Sequence, residues 1–313
     1  MTSPTSLYDA LASALRAERP VALATVLDGP GRGAKVVVLP SGRSGVSGSA
    51  GVPEPAGPAG LAGVPEPAGP AGPTGAAEGP EPVAAPEVLG TLGDPDLDRV
   101  VVRDALGELA AGTTVVRHYG RHGEARESTV AVFVESFAPP PRLVVFGAVD
   151  FTGALVRVGK VLGFRVTVCD AREVFATRAR FPEADEVVVD WPDRYLGRVG
   201  SALTARDAVC VLTHDAKFDV PALVAALATE AGYIGAMGSR RTHAERVARL
   251  REAGVGPAGM ERIHAPIGLD LGARTPEETA VSICAEIIAR RTGRTDARPL
   301  RDTDGPIHAP PPG

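Results

Sequence analysis

Short runs of apolar residues and two one-sided apolar stripes organise the first part of the chain. Leu7, Leu11 and Leu15 lie four residues apart, which predicts a helix over residues 7–17. A second helix is expected from near Asp94 to Gly112. Strands are predicted at 21–26, 34–39 and 88–92, and in the runs TTVVRHYG and STVAVFVESF. This pattern is typical of a small α+β domain over residues 1–138.

The pattern changes after Pro139–Pro141, where continuous apolar runs begin to alternate with helical stripes. The stretch RLVVFGAVDFTGALVRVGKVLGFRVTVCD, residues 142–170, predicts a strand over 143–146, a helix over 154–162 and a strand over 166–169. Continuous β-branched runs of this kind are typical of parallel strands that are covered on both faces. The stretch therefore predicts a βαβ unit, and the prolines predict a stiff linker between two domains.

The alternation continues beyond this unit and predicts five parallel strands in all. Helices are predicted at 172–180, 195–203 and 220–231, and strands at 186–190, 208–213 and 233–237. Two further helices cover 239–253 and 276–290, and the capping-box sequence TPEE opens the second. The fold class is α/β: residues 142–292 form a Rossmann-like doubly wound parallel sheet, preceded by the smaller α+β domain. The polar, Pro-rich tail at 293–313 is expected to be disordered.

From about residue 41 to residue 86 the apolar pattern disappears, and Gly, Pro, Ala, Ser and Glu dominate. The sequence GVPEPAGPAG occurs at 51–60 and again at 63–72. Such a segment lacks the bulky apolar residues whose burial offsets the entropy lost on ordering. We expect a disordered insertion that loops out between two strands and has no catalytic role.

Composition narrows the class of protein. The net charge of −5 provides no basic surface for nucleic acid or for an anionic membrane. The sequence contains neither an apolar window of about 18 residues nor a signal-peptide core. Cys169, Cys210 and Cys284 fall in predicted strands or in an apolar helix, which favours buried, reduced thiols in a cytoplasmic protein. Metal hydrolase, serine hydrolase and P-loop motifs are absent, so we expect no metal site.

The turn after the first strand of the βαβ unit carries part of a dinucleotide-binding pattern. Gly147 opens the turn, and Asp170 follows 23 residues later, where an acidic residue commonly holds a ribose hydroxyl. Val149 and Thr152, however, stand at the second and third glycine positions of G-x-G-x-x-G. Both a nucleotide site and a plain strand-to-helix turn remain open.

Polar residues gather at the expected carboxyl ends of the strands, where open parallel sheets bind their ligands. The candidate cofactor-binding residues are Gly147, Asp150, Asp170, His214, Asp215, Lys217, Gly238, Ser239, Arg240 and Arg241. The run THDAKFD at 213–219 combines an imidazole, a carboxylate and a lysine, but it fits a helix cap beside a solvated histidine equally well. Ser239 can cap the following helix and leave its amide groups facing an anion. The loop 264–276, including His264, is a candidate lid over this edge.

Several stretches are similar to a known family. LVVFGAVDFTGAL, LTHDAKFDVPAL, YIGAMGSRRTHAERVARLREAG and IHAPIGLDLGARTPEETAVSICAEIIA resemble the C-terminal Rossmann domain of the XdhC/CoxI family, accessory proteins of xanthine dehydrogenase and related molybdenum hydroxylases. AKVVVLPSG and STVAVFVESFAPPPRLVVFGA resemble the smaller first domain of that family. Where the family often carries GGGCVE, this chain has GTLGDPDLD at 90–98, without a cysteine.

The resemblance implies an accessory protein rather than a catalyst. Such a protein binds the molybdenum cofactor, protects it during maturation and delivers it to a xanthine dehydrogenase-type molybdenum hydroxylase. A cysteine desulfurase and a second copy of the chain are further partners compatible with that role. Two alternatives remain: an oxidoreductase that binds NAD(P) at the same sheet edge, and a cofactor-free scaffold that only docks the partner enzyme.

Overall fold

The computed structural model of the chain describes residues 6–41, 85–294 and 297–304. The expected insertion at 41–86 lies almost entirely outside the described residues, and so does the end of the tail. Within the described ranges, no helix is long and apolar enough to cross a membrane.

The first part of the chain forms a five-stranded antiparallel sheet with one helix on each face. Its strands are β1 (Val21–Asp28), β2 (Lys35–Leu39), β3 (Glu87–Thr91), β4 (Val115–Tyr119) and β5 (Val130–Phe137), in the order β3-β2-β1-β5-β4. Helix α2 (Pro95–Ala111) packs Leu97 and Val101 against one face, and α1 (Leu7–Arg16) packs Ala14 against the other. The alternation of buried residues between the two faces follows the period of a strand. The predicted α+β organisation is confirmed.

The second part of the chain forms a six-stranded, fully parallel sheet. Its strands are β6 (Arg142–Phe146), β7 (Arg165–Cys169), β8 (Glu186–Val188), β9 (Ala208–Val211), β10 (Tyr233–Ala236) and β11 (Ile263–His264). The order β11-β10-β9-β6-β7-β8 is that of a doubly wound Rossmann sheet. The predicted fold class is confirmed.

Helices cover both faces of this parallel sheet. They are α3 (Asp150–Val161), α4 (Pro192–Val199), α5 (Ala216–Leu227), α6 (Arg240–Glu252), α7 (Pro257–Glu261) and α8 (Pro276–Arg291). Leu155 of α3 and Ile283 of α8 belong to the apolar core on one face, and Leu223 of α5 and Leu250 of α6 belong to the core on the other. Because both faces are covered, the strands consist of the continuous apolar runs seen in the sequence.

The predicted helix at 172–180 is wrong, because these residues form successive turns. The guanidinium of Arg180 donates to the carbonyl of Phe175 at 3.3 Å, and the amide of Arg180 donates to the hydroxyl of Thr177 at 3.3 Å. Side-chain hydrogen bonds of this kind offer the backbone an alternative to helical bonding. The apolar residues of the segment are therefore arranged by turns rather than by a helical stripe.

Three further elements differ from the sequence prediction. Helix α5 begins at Ala216 instead of 220, because Asp215 caps it. The two residues of β11 pair with β10 as a sixth strand, which is too short to leave a periodic signal. Leu300–Asp302 form a short 3-10 helix where a disordered tail was expected, and the amide of Asp302 donates to the carbonyl of Pro299 at 2.9 Å.

Candidate functional site

The order of the strands creates a crevice at the carboxyl edge of the parallel sheet. Strand β6 lies between β7 and β9, so the connections on its two sides run in opposite directions, and ligands of such sheets bind at this point. Gly147, after β6, has φ +108°, and a Cβ there would come within 2.7 Å of Cγ2 of Thr213, which follows β9. A side chain at this position would therefore have to displace the neighbouring loop. The glycine keeps the two loops in close contact.

Asp170 lies at this edge, but its carboxylate is buried and fully used by the protein. It accepts hydrogen bonds from the Ala148 amide (2.7 Å), the Arg172 amide (2.9 Å), Arg172 Nε (2.9 Å) and Arg172 Nη2 (2.7 Å). Burial opposes ionisation, but the hydrogen bonds from Arg172 and Ala148 outweigh it and hold the pKa of Asp170 below its ordinary value. Two carboxylate oxygens offer about four acceptor sites, so none remains for a ribose diol.

The expectation that Asp170 sits at an exposed strand end is therefore wrong, since the residue is only 4% exposed. Its role in this structure is to brace the glycine turn, because the amide of Ala148 immediately follows Gly147. A sequence pattern cannot distinguish an acidic residue that faces a ligand from one that binds the turn beside it.

Two arginines missed by the sequence analysis lie beside the same turn. Arg172 lies over the ring of Phe175 at 4.6 Å and Arg180 at 5.6 Å, both measured from the guanidinium carbon to the ring centroid. Arg180 also donates to the carbonyl of Ala148 at 3.0 Å, and it lies 3.9 Å from the exposed carboxylate of Asp150. These residues were missed because the segment was predicted as a helix.

The run at 213–219 divides into a surface part and a buried part. Asp215 caps α5 by accepting the amide of Lys217 at 3.1 Å, and the ammonium of Lys217 lies 3.4 Å from the same carboxylate. His214 is exposed. These contacts agree with the capping interpretation left open by the sequence.

The buried part connects the ends of β9 and β10. The hydroxyl of Thr213 donates to Asp219, whose other oxygen accepts a 2.8 Å bond from Nη2 of Arg246. The same nitrogen donates to the carbonyl of Met237, also at 2.8 Å. Asp219 and Arg246 are both buried, and sequence reasoning missed this ion pair because its members are 27 residues apart on different helices.

The turn after β10 leads directly into α6. Ser239 caps this helix by accepting the amide of Thr242 at 3.1 Å, as predicted, and Gly238 has φ +146°. The side chain of Arg240 is exposed, and that of Arg241 pairs with Glu245 at 3.2 Å along the outside of the helix. The cap thus lies at the sheet edge, whereas Arg241 is engaged away from it.

The segment after β11 is held against helix α8. His264 belongs to β11 rather than to a free lid, and its ring stacks on Tyr233 with centroids 4.8 Å apart. The carboxylate of Glu286 lies 3.5 Å from Nδ1 of His264 and accepts the amide of Gly268 at 2.8 Å. The hydrogen bonds with Tyr233, His264 and Gly268 outweigh burial and lower the pKa of Glu286. His264 therefore anchors the base of the segment.

The three cysteines are free and buried, as expected. Burial raises the pKa of Cys169 and of Cys284 to about 12, and raises the pKa of Cys210 as well. A thiol with such a pKa is protonated at neutral pH, and the thiolate is the reactive form. None of the three provides an accessible nucleophilic sulfur.

A second concavity, of about 370 Å³, lies at the other end of the parallel sheet, between α2 and the loop before β9. Its lining is mainly apolar and includes Leu109 and Pro139–Pro141. Asp207 in its wall accepts the amide of Arg142 at 2.6 Å, and Arg206 donates to the carbonyl of Pro139 at 2.9 Å. Because these polar groups join the two sheets to each other, we interpret the concavity as a packing seam.

Comparison with known proteins was made for the whole chain. Residues 143–287 match the family described as XdhC Rossmann domain. A protein of Bacillus subtilis (strain 168) that is named as a probable xanthine dehydrogenase component is 33% identical over 165 residues, or 53% of this chain and 47% of that protein. The molybdenum cofactor insertion chaperone PaoD of Escherichia coli (strain K12) is 33% identical over 99 residues, or 32% of this chain and 31% of that protein.

Two further matches have lower identity. The uncharacterized protein YqeB of Escherichia coli (strain K12) is 28% identical over 208 residues, which are 64% of this chain and 38% of that protein. A crystal structure described as a xanthine dehydrogenase from Bacillus halodurans has 22% identity and a TM-score of 0.46, covering 92% of this chain and 97% of that chain. The chain spans less than half of the length of each of the three curated relatives. Through residues 143–287, which contain nearly all of the parallel sheet and its helices, the chain belongs to the XdhC family, and the resemblance found in the sequence is confirmed.

Proposed function

We propose that this protein binds the molybdenum cofactor at the carboxyl edge of its parallel sheet and assists its insertion into a xanthine dehydrogenase-type molybdenum hydroxylase. The observation that carries the proposal is the XdhC Rossmann domain at 143–287, together with a relative named as a molybdenum cofactor insertion chaperone. In this proposal the protein acts as an accessory factor in the cytoplasm.

The groups at the edge suit a pterin that carries a phosphate. The Gly147 turn allows close approach of the backbone, since no side chain projects from it. His214 and Lys217 are exposed beside the crevice and can donate to acceptors on a pterin ring or on a phosphate. The start of α6, after Gly238 and Ser239, presents amide groups suited to an anion. Asp170 and Asp215 contribute indirectly, by bracing the turn and capping α5.

The chain's own residues hold and orient the ligand in this proposal, whereas the bound cofactor supplies redox chemistry for the recipient enzyme. The buried cysteines leave no reactive thiol for transferring sulfur. Sulfuration of the cofactor therefore requires a separate protein such as a cysteine desulfurase.

A nicotinamide nucleotide suits the site less well. The four acceptor sites of Asp170 are occupied by Arg172 and Ala148, so the usual carboxylate for a ribose diol is missing. Val149 also adds a side chain where the pyrophosphate normally approaches a glycine. These two features favour the pterin over NAD(P).

The proposal is tested by purifying the full chain from a host that makes the cofactor. Mass spectrometry and absorption spectra should show a bound pterin, and the loaded protein should activate an apo molybdenum hydroxylase. Bound NAD(P) would support the oxidoreductase alternative instead. A protein that carries no small molecule but still binds the hydroxylase would support the scaffold alternative, and either result would overturn the proposal.

A further inference from the structure

Helix α6 carries two buried nitrogen atoms that have no hydrogen-bond partner among the described residues. They are Nδ1 of His243 and Nη1 of Arg246. The two residues are three apart on the helix, so they lie on the same side of it. Leaving a buried polar group unpaired costs about 1–3 kcal/mol, and more if the group is charged. Such atoms in a folded protein require an explanation.

The rest of the Arg246 side chain is firmly held. Only 3% of the residue is exposed, and Nη2 donates both to Asp219 and to the carbonyl of Met237, each at 2.8 Å. These contacts fix the plane of the guanidinium and therefore the position of Nη1. The unpaired nitrogen is thus part of a rigid arrangement rather than the end of a mobile side chain.

The guanidinium lies directly behind the first turn of α6. A Cβ at Gly238 would be 3.6 Å from Nη2 of Arg246 and 3.1 Å from Cγ2 of Thr242. Ser239, the next residue, caps the helix through the amide of Thr242. The start of a 13-residue helix, with its partial positive charge, therefore meets a buried guanidinium and an imidazole around a glycine that has no side chain.

We propose that Gly238, Ser239, His243 and Arg246 form an oxyanion subsite for a phosphate group. In this subsite the amides at the start of α6 donate to the phosphate oxygens, as do the unpaired nitrogens of His243 and Arg246. Phosphate binding does not depend on the proposed function; only the assignment of the phosphate to a pterin cofactor rests on it. A pterin phosphate, a nucleotide phosphate and free phosphate share this chemistry.

Electrostatics provide a direct readout at His243. Burial lowers the pKa of His243, and the positive charge of Arg246 lowers it further. The charged groups next to this pair are Arg246 itself and Asp219, which binds Arg246 from α5. An additional anion beside the ring favours the imidazolium, so phosphate should raise the pKa of His243 by about one unit.

The test uses the full chain and inorganic phosphate, with calorimetry for affinity and NMR titration for the histidine. His243→Ala should weaken phosphate binding about tenfold, the loss expected for one charge-assisted hydrogen bond. His243→Gln, which keeps an N–H donor, should restore part of the affinity. The matched control is Arg241→Ala, which removes a positive charge of the same helix that faces Glu245. This control should change the affinity less than twofold, about 0.4 kcal/mol.

Phosphate binding that His243→Ala and Arg241→Ala weaken equally would indicate an adventitious ion only and would overturn the subsite. An absence of binding by the wild-type protein, with an unchanged histidine pKa, would indicate that the two nitrogens bind internal water instead, and would overturn it too. Repeating the titration with a nucleotide and with the cofactor identifies the source of the phosphate. Phosphate binding without pterin retention would leave the subsite standing and contradict only the proposed function.

Discussion

Asp170 shows how the position of one side chain changes the meaning of a sequence motif. Because its carboxylate satisfies the amide of Ala148 and the guanidinium of Arg172, Asp170→Ala should leave these donors unpaired. We expect a loss of about 2 kcal/mol in the free energy of unfolding, measured by chemical denaturation. Asp150→Ala is the control, because that carboxylate is exposed and should change stability by less than about 0.5 kcal/mol. Equal losses in the two variants would contradict the bracing role.

The same carboxylate should make stability depend on pH. Its pKa in the folded protein lies below its ordinary value, so its contribution is fully present above the unfolded pKa of about 3.9. The contribution is lost as the pH falls through the lower, folded pKa. The difference in unfolding free energy between wild type and Asp170→Asn should therefore be constant above about pH 5 and should shrink below about pH 4. A difference that grows on acidification would show that the sign is wrong.

His214 and Asp215 separate ligand binding from helix capping. Asn caps a helix about as well as Asp, so Asp215→Asn should leave thermal stability nearly unchanged. His214 is exposed, so His214→Ala should also stay folded. We predict that both variants fold but fail to activate an apo molybdenum hydroxylase in a reconstitution assay. If both activate it like the wild type, only the capping role remains.

At the scale of an element, the β6–α3 turn depends on a glycine that no other residue can replace without strain. Gly147 has a positive φ, and an added Cβ would lie 2.7 Å from Thr213. We expect Gly147→Ala to lower the free energy of unfolding by about 2 kcal/mol. Gly153→Ala in α3 is a control of opposite sign. Its helical position has room for a methyl group, so it should stabilise the protein by about 0.5–1 kcal/mol. Denaturation curves of both variants provide the measurement.

At the scale of the whole molecule, the low-complexity segment should be dispensable. Strands β2 and β3, which flank it, pair antiparallel, and Leu39 lies opposite Glu87. Removing residues 45–86 would leave residues 40–44 as a five-residue hairpin loop, and such loops are common between paired strands. We expect an unchanged cooperative melting transition and unchanged cofactor retention, because closure entropy depends weakly on loop length. Loss of the cooperative transition would contradict this.

The sequence by itself determined the features that depend on residues close together in the chain. The period of the apolar residues predicted both sheets, because a strand or helix must bury one face or both. The caps at Ser239 and Thr275 were likewise predictable, since each donor and acceptor lies within four residues. The order of the parallel strands was not encoded locally. It emerged only when the chain returned to place β9 beside β6.

Only the tertiary structure decided which of the candidate residues face a ligand. Asp170 and Arg246 have partners contributed by separate turns and helices, so their burial follows from strand order and packing rather than from spacing. The edge strand β11 and the turns at 172–180 depended in the same way on neighbours distant in the chain. A side chain's type is written in the sequence. Whether its polar atoms are satisfied inside the protein or remain available depends on what the fold brings within hydrogen-bonding distance.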